Sequence, residues 1–178
     1  MPTDTVYTDG MKSYVDEAIA AIEVGGATGG SGNVVCDTLL DITTTEQTKI
    51  VGITIDNLDE YFTLYIAGYI TPCEDLTAAS TAMLVFRGNA ISRELPVGYP
   101  NMTPKDFGKF AYVFNINNGI MTGTGHLRKA NWTNDTTGCP IDLPYPNEKN
   151  LIKIQALNAP YLPIGTQLVI KGLRKSEV

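Results

Sequence analysis

The sequence has few of the residues from which enzymes build active sites. Its 178 residues include one histidine, one tryptophan and three cysteines. His126 lies beside Gly125, and neither a Gly-x-Ser-x-Gly elbow nor another nucleophile motif occurs with it. The glycine-rich residues 25–32 lack the Lys-Ser or Lys-Thr ending of a phosphate-binding loop. We therefore expect no catalytic residues and no cofactor, and an enzyme with an unrecognised active site is the third hypothesis.

Positive charge and long apolar runs are also scarce. Lys and Arg number 13 against 19 Asp and Glu, giving a net charge of -6. This argues against nucleic-acid binding, because phosphate binding needs clustered cations. The longest apolar stretch, residues 61–70, is shorter than the ~20 residues of a membrane-spanning helix. Residues 1–10 show no basic start followed by an apolar run, so we predict no secretory signal and expect folding in a cytoplasm.

The cysteines and acidic residues predict no metal site. The cysteines are odd in number and widely spaced, so they cannot all pair in one chain and have no zinc-ligand spacing. They are Cys36, Cys73 and Cys139, and we expect reduced thiols. The densest group of oxygen ligands is Asp56, Asn57, Asp59 and Glu60. This group lacks the central glycine and distant glutamate of an EF-hand loop, so it is predicted to be a solvated hairpin turn, with calcium binding as the alternative.

One amphipathic helix is predicted, at residues 9–23. Its apolar residues recur at helical spacing on one face and are Met11, Val15, Ala18 and Ile22. A helix of about four turns is marginal alone, so this stripe needs a partner and is assigned to oligomerisation or attachment. We expect three parts: an attachment helix at residues 1–24, a glycine-rich tether at 25–33, and a β-sandwich domain at 34–178.

From residue 34 onward the hydrophobic period changes to that of strands. Eight strands are predicted, at residues 38–43, 49–55, 61–70, 82–87, 110–116, 120–127, 151–156 and 167–173. Asn118 and Gly119 predict a tight hairpin between two of them. Residues 91–109 and 129–150 are predicted to be long proline-bearing loops that make contacts. The fold class is therefore mainly β, an antiparallel β-sandwich or jelly roll with a short N-terminal helix.

The only tryptophan suggests a contact surface. Trp132 lies in the run NWTNDTT, beside Asn131, Asn134 and Asp135. An aromatic ring can stack on a sugar while neighbouring amides bind its hydroxyl groups. A ring buried in the domain or against a neighbouring subunit is the alternative. These four residues are the candidates for surface or glycan contact.

Two segments together resemble virion proteins of tailed bacteriophages, especially fibre, head-decoration and receptor-binding subunits. The run YVDEAIA at residues 14–20, followed by the tether, is similar to short N-terminal attachment helices of that group. The run LPIGTQLVIKGLRK at residues 162–175 is similar to the last strand of phage β-sandwich modules, with Leu168, Ile170 and Gly172 in a hydrophobic-x-hydrophobic-x-Gly pattern. The resemblance implies a trimeric virion component, assembled in the host cytoplasm and docked on a capsid or tail.

The leading hypothesis is a phage virion structural protein, a head fibre, decoration or tail fibre subunit attached through its N-terminal helix. Its expected partners are copies of itself, other virion proteins and a host-surface glycan, with no nucleic acid and no membrane insertion. The alternative is a carbohydrate-binding module that uses the Trp132 loop. Assembly state and glycan binding distinguish the two hypotheses.

Overall fold

The structure, a computed structural model, describes residues 34–71, 73, 75–76, 81–87, 92–98, 108–117, 120–128, 141–144 and 150–175. These residues form ten strands and one 3-10 turn at Leu58–Glu60, and they include no α-helix. The strands are β1 (Val34–Thr43), β2 (Ile50–Ile55), β3 (Tyr61–Ile70), β4 (Thr81–Arg87), β5 (Ser92–Gly98), β6 (Gly108–Asn117), β7 (Ile120–Arg128), β8 (Ile141–Pro144), β9 (Asn150–Leu157) and β10 (Gln167–Lys175). The predicted N-terminal helix and tether lie outside the described residues.

The strands form two antiparallel sheets. A six-stranded sheet has the order β1-β10-β3-β6-β7-β8, and a four-stranded sheet has the order β2-β9-β4-β5. Strands from the first half of the chain pair in nested order with strands from the second: β1 with β10, β2 with β9, β3 with β6 and β4 with β5. The hairpin of β7 and β8 extends the larger sheet at one edge.

The inner faces of the two sheets share one hydrophobic core, as in a β-sandwich. Alternate residues of the strands whose side chains are described contribute to it, which follows from the two-residue period of side chains along a strand. Phe86 of β4 and Phe114 of β6 connect the sheets through an edge-to-face contact, with ring centroids 5.0 Å apart. The largest fully buried side chains are Leu58, Leu64, Ile66, Ile70, Leu84, Phe110, Phe114, Ile152, Ile154, Leu162, Leu168 and Ile170.

Aromatic rings on β6 lie over glycines in the neighbouring strands. A side chain at Gly123 would overlap the ring of Phe114, and one at Gly125 would overlap the ring of Tyr112. On the other side of β6, the ring of Phe110 lies over Gly68 of β3. Glycine in a strand is unfavourable by itself, but here it leaves room for a large ring to lie flat on the sheet.

All eight predicted strands are confirmed, and the predicted loops are wrong in part. The predicted loop 91–109 contains β5 and the predicted loop 129–150 contains β8. Both are edge strands. A proline such as Pro96 is tolerated in an edge strand, because an edge strand pairs on one side only and can do without one backbone N–H. Charged residues and prolines hide the two-residue hydrophobic period in these segments.

The two predicted hairpins have different outcomes. Asn117 pairs with Ile120, so a two-residue hairpin joins β6 and β7 as predicted from Asn118 and Gly119. The prediction of a hairpin at residues 56–60 is wrong, because β2 and β3 belong to different sheets. This turn carries the chain between the sheets, and Leu58, which is buried in the core, anchors it.

Candidate functional site

The site residues predicted from sequence lie outside the described residues. This applies to the helix stripe of Met11, Val15, Ala18 and Ile22, and to the glycan-contact group of Asn131, Trp132, Asn134 and Asp135. His126 lies in β7, where its backbone pairs with Ala111 of β6. The structure therefore brings none of these predicted residues together, and the candidate surfaces come from other parts of the chain.

The outer face of the six-stranded sheet carries a buried apolar cluster. Tyr65, Ala67 and Leu173 are its buried members, at 4%, 2% and 0% exposure, and Cys36, Phe62 and Ala111 pack against them. The cluster lies on β1, β10, β3 and β6, on the side opposite the shared core. The outer face of an antiparallel sheet is commonly solvated and polar, so this cluster departs from the usual alternation. We call these six residues the outer-face cluster.

The phenol of Tyr65 is the polar group of the outer-face cluster. Its hydroxyl oxygen is buried and has no hydrogen-bond partner among the described residues. Burial raises the pKa of Tyr65, and repulsion from the negative charge that Cys36 carries as a thiolate raises it further. A buried hydroxyl without a partner costs about 1–3 kcal/mol, so this atom calls for a hydrogen-bonding group that the described chain does not supply. Val113 pairs with Tyr65 on the same face and is 39% exposed.

A polar cluster lies at one end of the same sheet. Arg174 Nε donates to Asp37 Oδ2 at 2.6 Å, and the hydroxyl of Tyr61 donates to the same oxygen at 3.3 Å. Burial is the first cause that raises the pKa of Tyr61, and the Asp37 carboxylate is the second. These side chains tie together β1, β3 and β10. Because the charged groups are paired with each other, the cluster stabilises the sheet end and offers no unpaired charge to a ligand.

A second polar contact joins two partly buried side chains of the connecting segments. The sulfur of Cys73 lies 3.7 Å from the hydroxyl of Tyr161. The hydrogen bond with Cys73 is the main cause that raises the pKa of Tyr161, and burial adds to it. Neither Cys73 nor Cys36 forms a disulfide. The Asp75 carboxylate also raises the pKa of Tyr161, so its neighbours keep the phenol protonated, and we assign no catalytic role to this contact.

The acidic turn at residues 56–60 does not assemble a cation site in the described chain. Asn57 Nδ2 donates to Glu60 Oε1 at 2.8 Å, so the amide and one carboxylate bind each other. Asp56, Asp59 and Glu60 are all exposed. Within the described ranges, no group of three or more His, Cys, Asp or Glu side chains lies close enough together to hold a metal ion. The same residues include no helix long and apolar enough to cross a membrane.

Sequence reasoning missed the outer-face cluster, although β3 carries a signal for it. The strand reads YFTLYIAGYI, a nearly continuous apolar run rather than an alternation of apolar and polar residues. Such a run in a strand indicates burial on both faces. The run is too short for a membrane-spanning helix. It therefore indicates a strand in the middle of a sheet, with both of its faces covered.

No protein-family model and no curated protein matches the chain. Among solved structures, the chain is similar to the exoplasmic/lumenal domain of VIP36 in its Ca2+/Man3GlcNAc-bound form. The TM-score is 0.36 and the sequence identity is 12%, over 83% of this chain and 84% of that one. A likeness at this level establishes neither a shared ligand nor a family for this chain.

Proposed function

We propose that this chain is a non-catalytic structural subunit that works in an assembly, in line with the tailed-phage virion proteins that its ends resemble. The observation that carries the proposal is the outer-face cluster. Leu173, Ala67 and Tyr65 are covered within a single copy of the chain, and Val113, which pairs with Tyr65 on the same face and is 39% exposed, extends this apolar surface to the outside, where another protein surface can pack against it.

The nested strand order adds support of a more general kind. Pairing of β1 with β10, β2 with β9, β3 with β6 and β4 with β5 is the arrangement of a jelly roll, with β7 and β8 as an added hairpin. Viral capsid and lectin domains both use jelly rolls. The fold is therefore compatible with a virion subunit and with a glycan-binding module. The two functions are distinguished by the residues on the surface of the domain and not by the fold.

In the proposed virion subunit, residues 1–24 attach the chain to a capsid or tail and favour a trimer, and the sandwich is displayed outward. Assembly takes place in the host cytoplasm. The test is the molar mass of the purified full chain by light scattering, with and without residues 1–24. We expect an oligomer that dissociates when these residues are removed.

A matched pair of variants tests the outer-face cluster itself. Val113→Asp places a charge beside Tyr65 on an exposed position of the cluster's face, and Ile164→Asp places the same charge on an apolar side chain that is 55% exposed in a turn. We expect only Val113→Asp to reduce association, because a buried unpaired carboxylate is costly. A full chain that is monomeric at micromolar concentration, unchanged by the truncation and by Val113→Asp, would contradict the proposal.

A second candidate function is glycan binding through the Trp132 loop. The observation in its favour is the grouping of Trp132 with Asn131, Asn134 and Asp135 in the segment that connects β7 and β8. Glycan-array binding that is lost in Trp132→Ala and kept in Val113→Asp would support this function. If both properties are present, the subunit recognises a glycan from within its assembly.

A further inference from the structure

The outer-face cluster places a thiol beside a buried phenol. Cys36 lies on β1, pairs with Leu173 of β10, and packs against the buried members of the cluster. Tyr65 lies on β3, the strand on the other side of β10. After burial, the negative charge of a Cys36 thiolate is the next cause that raises the pKa of Tyr65. The thiol and the phenol are therefore neighbours on one face of the sheet.

The hydroxyl of Tyr65 is a hydrogen-bond donor without an acceptor in the described chain. Its oxygen is buried, Tyr65 as a whole is 4% exposed, and the sulfur of Cys36 does not accept from it. A buried donor that lacks an acceptor is costly, so an acceptor placed in the same cluster would be stabilised. An oxygen atom bonded to the sulfur of Cys36 would add such an acceptor.

The position of Cys36 leaves it open to a small reagent. The residue is half-buried, and β1 is the edge strand of the six-stranded sheet. On the neighbouring strand, Lys171 pairs with Tyr65 on one side and with Thr38 on the other. Lys171 alternates with Leu173 of the cluster, so it brings a positive charge to the same face. A positive charge there attracts a thiolate, which is the form of cysteine that reacts with peroxides.

We infer that Cys36 is a site of reversible oxidation by a peroxide, and that the hydroxyl of Tyr65 donates a hydrogen bond to the oxygen of the resulting sulfenic acid. The thiol first gives its proton to water. An electron pair of the sulfur then forms the S–O bond, the O–O bond of the peroxide breaks, and its electron pair leaves with hydroxide, which water protonates. The sulfur is oxidised, the peroxide is reduced, and a thiol reductant restores Cys36.

Cys73 provides a comparison within the same chain. It is also half-buried and also lies beside a tyrosine, with its sulfur 3.7 Å from the hydroxyl of Tyr161. That hydroxyl already has hydrogen bonds, one with Cys73 and one with Gln47. An oxygen added to Cys73 would disturb an existing contact, whereas one added to Cys36 would supply a missing acceptor. We therefore expect oxidation to favour Cys36 over Cys73.

Trapping of sulfenic acid in the full chain tests the inference. The chain is treated with dilute hydrogen peroxide in the presence of dimedone, and the labelled cysteine peptides are quantified by mass spectrometry. We expect Cys36 to be labelled faster than Cys73. Tyr65→Phe should slow the labelling of Cys36 about five- to tenfold, since one hydrogen bond to the new oxygen is lost. Tyr161→Phe is the matched control and should leave the labelling of Cys36 unchanged.

A stability measurement covers the case in which Tyr65→Phe alters the packing around Cys36. In a chain with Cys73→Ser and Cys139→Ser, Cys36 is the only thiol. We expect peroxide to raise the unfolding midpoint of this chain, because the buried hydroxyl of Tyr65 gains an acceptor, and a thiol reductant to reverse the rise. The same treatment after Cys36→Ser measures the contribution of all other groups.

Three results would overturn the inference: labelling of Cys36 no faster than that of Cys73, labelling of Cys36 unchanged in Tyr65→Phe, or a midpoint that does not rise on oxidation of Cys36. The inference goes beyond the proposed function and does not depend on it. Neither experiment measures association, so a failure here leaves the proposed assembly untouched.

Discussion

The two sheets are alike on their inner faces and different on their outer faces. Inside, Phe114 of the larger sheet and Phe86 of the smaller meet in one apolar core. Outside, the larger sheet buries a neutral cluster around Tyr65, whereas the smaller sheet buries the charged Lys153. The outer face of the larger sheet leaves one buried polar atom, the Tyr65 hydroxyl oxygen, without a partner in the described chain.

This difference separates the surfaces whose polar and apolar groups are fully satisfied within one copy from those that are not. The inner faces are satisfied within one copy, because their side chains are apolar and fill the space between the sheets. The outer face of the larger sheet is satisfied only in part, because the Tyr65 hydroxyl is buried there without a hydrogen-bond partner in the described chain. Variants on the two sides of each sheet test whether this division holds.

The largest effect is expected from Phe114→Ala. Phe114 is fully buried, contacts Phe86 of the opposite sheet and lies flat on Gly123, so its loss leaves a cavity between the sheets. We expect the free energy of unfolding to fall by about 3–5 kcal/mol in a denaturant titration. Val113→Ala, on the outward side of the same strand and 39% exposed, is the control and should cost well under about 1 kcal/mol. Equal losses in the free energy of unfolding would mean that side chains on the inner face contribute no more to stability than those on the outer face.

A smaller loss is expected from Gly123→Ala, which tests the way in which the larger sheet makes room for its rings. The added methyl group would occupy the position of the Phe114 ring. We expect a loss of about 1–3 kcal/mol, because an overfilled core forces the ring and backbone to shift. Thr122→Ala, at the exposed neighbouring position of β7, serves as the control, and its unfolding midpoint should stay near that of the native chain. A stabilised Gly123→Ala variant would contradict the packing described here.

Sequence patterns predict the interior of this molecule better than its outer faces. The alternation of apolar residues predicts the eight strands, and Asn118 with Gly119 predicts the hairpin of β6 and β7, because these signals are local. The edge strand β5 carries Pro96 and charged residues and therefore gives no such signal. Lys153 alternates with isoleucines and indicates a solvated position. It is nevertheless only 7% exposed, because of contacts with other parts of the chain that sequence periodicity does not contain.

Paired tyrosine variants test whether the outer face of the larger sheet carries an unsatisfied group. The hydroxyl of Tyr61 binds Asp37, whereas that of Tyr65 has no partner in the described chain. We therefore expect the same substitution to act in opposite directions. Tyr61→Phe should lower the free energy of unfolding by about 1 kcal/mol, and Tyr65→Phe should raise it by a similar amount. A loss of stability in Tyr65→Phe equal to that in Tyr61→Phe would show that the Tyr65 hydroxyl has a hydrogen-bond partner.

The pH dependence of stability provides an independent check on Tyr65. Burial raises the pKa of Tyr65 above its ordinary value of 10.0. The folded chain then holds this proton more tightly than the unfolded chain, so the resulting stability is present below pH 10 and is lost as the pH rises through the folded pKa. We expect Tyr65→Phe to make the alkaline fall in stability shallower. A slope that matches that of the native chain would show that the Tyr65 hydroxyl is solvated.

The smallest effect is expected from Asp37→Asn, at the polar end of the larger sheet. The substitution keeps an oxygen that accepts from Tyr61 and Arg174 but removes the charge. Both members of the ion pair are about 30% exposed, at 32% for Arg174 and 28% for Asp37, so water weakens their attraction. We expect a loss of about 0.5 kcal/mol at low salt that largely disappears near 1 M salt, because mobile ions screen the pair. A loss that persists at high salt would show that the carboxylate is held in a drier environment than its exposure indicates. The polar end of the larger sheet would then resemble the interior of the sandwich more than its solvated surface.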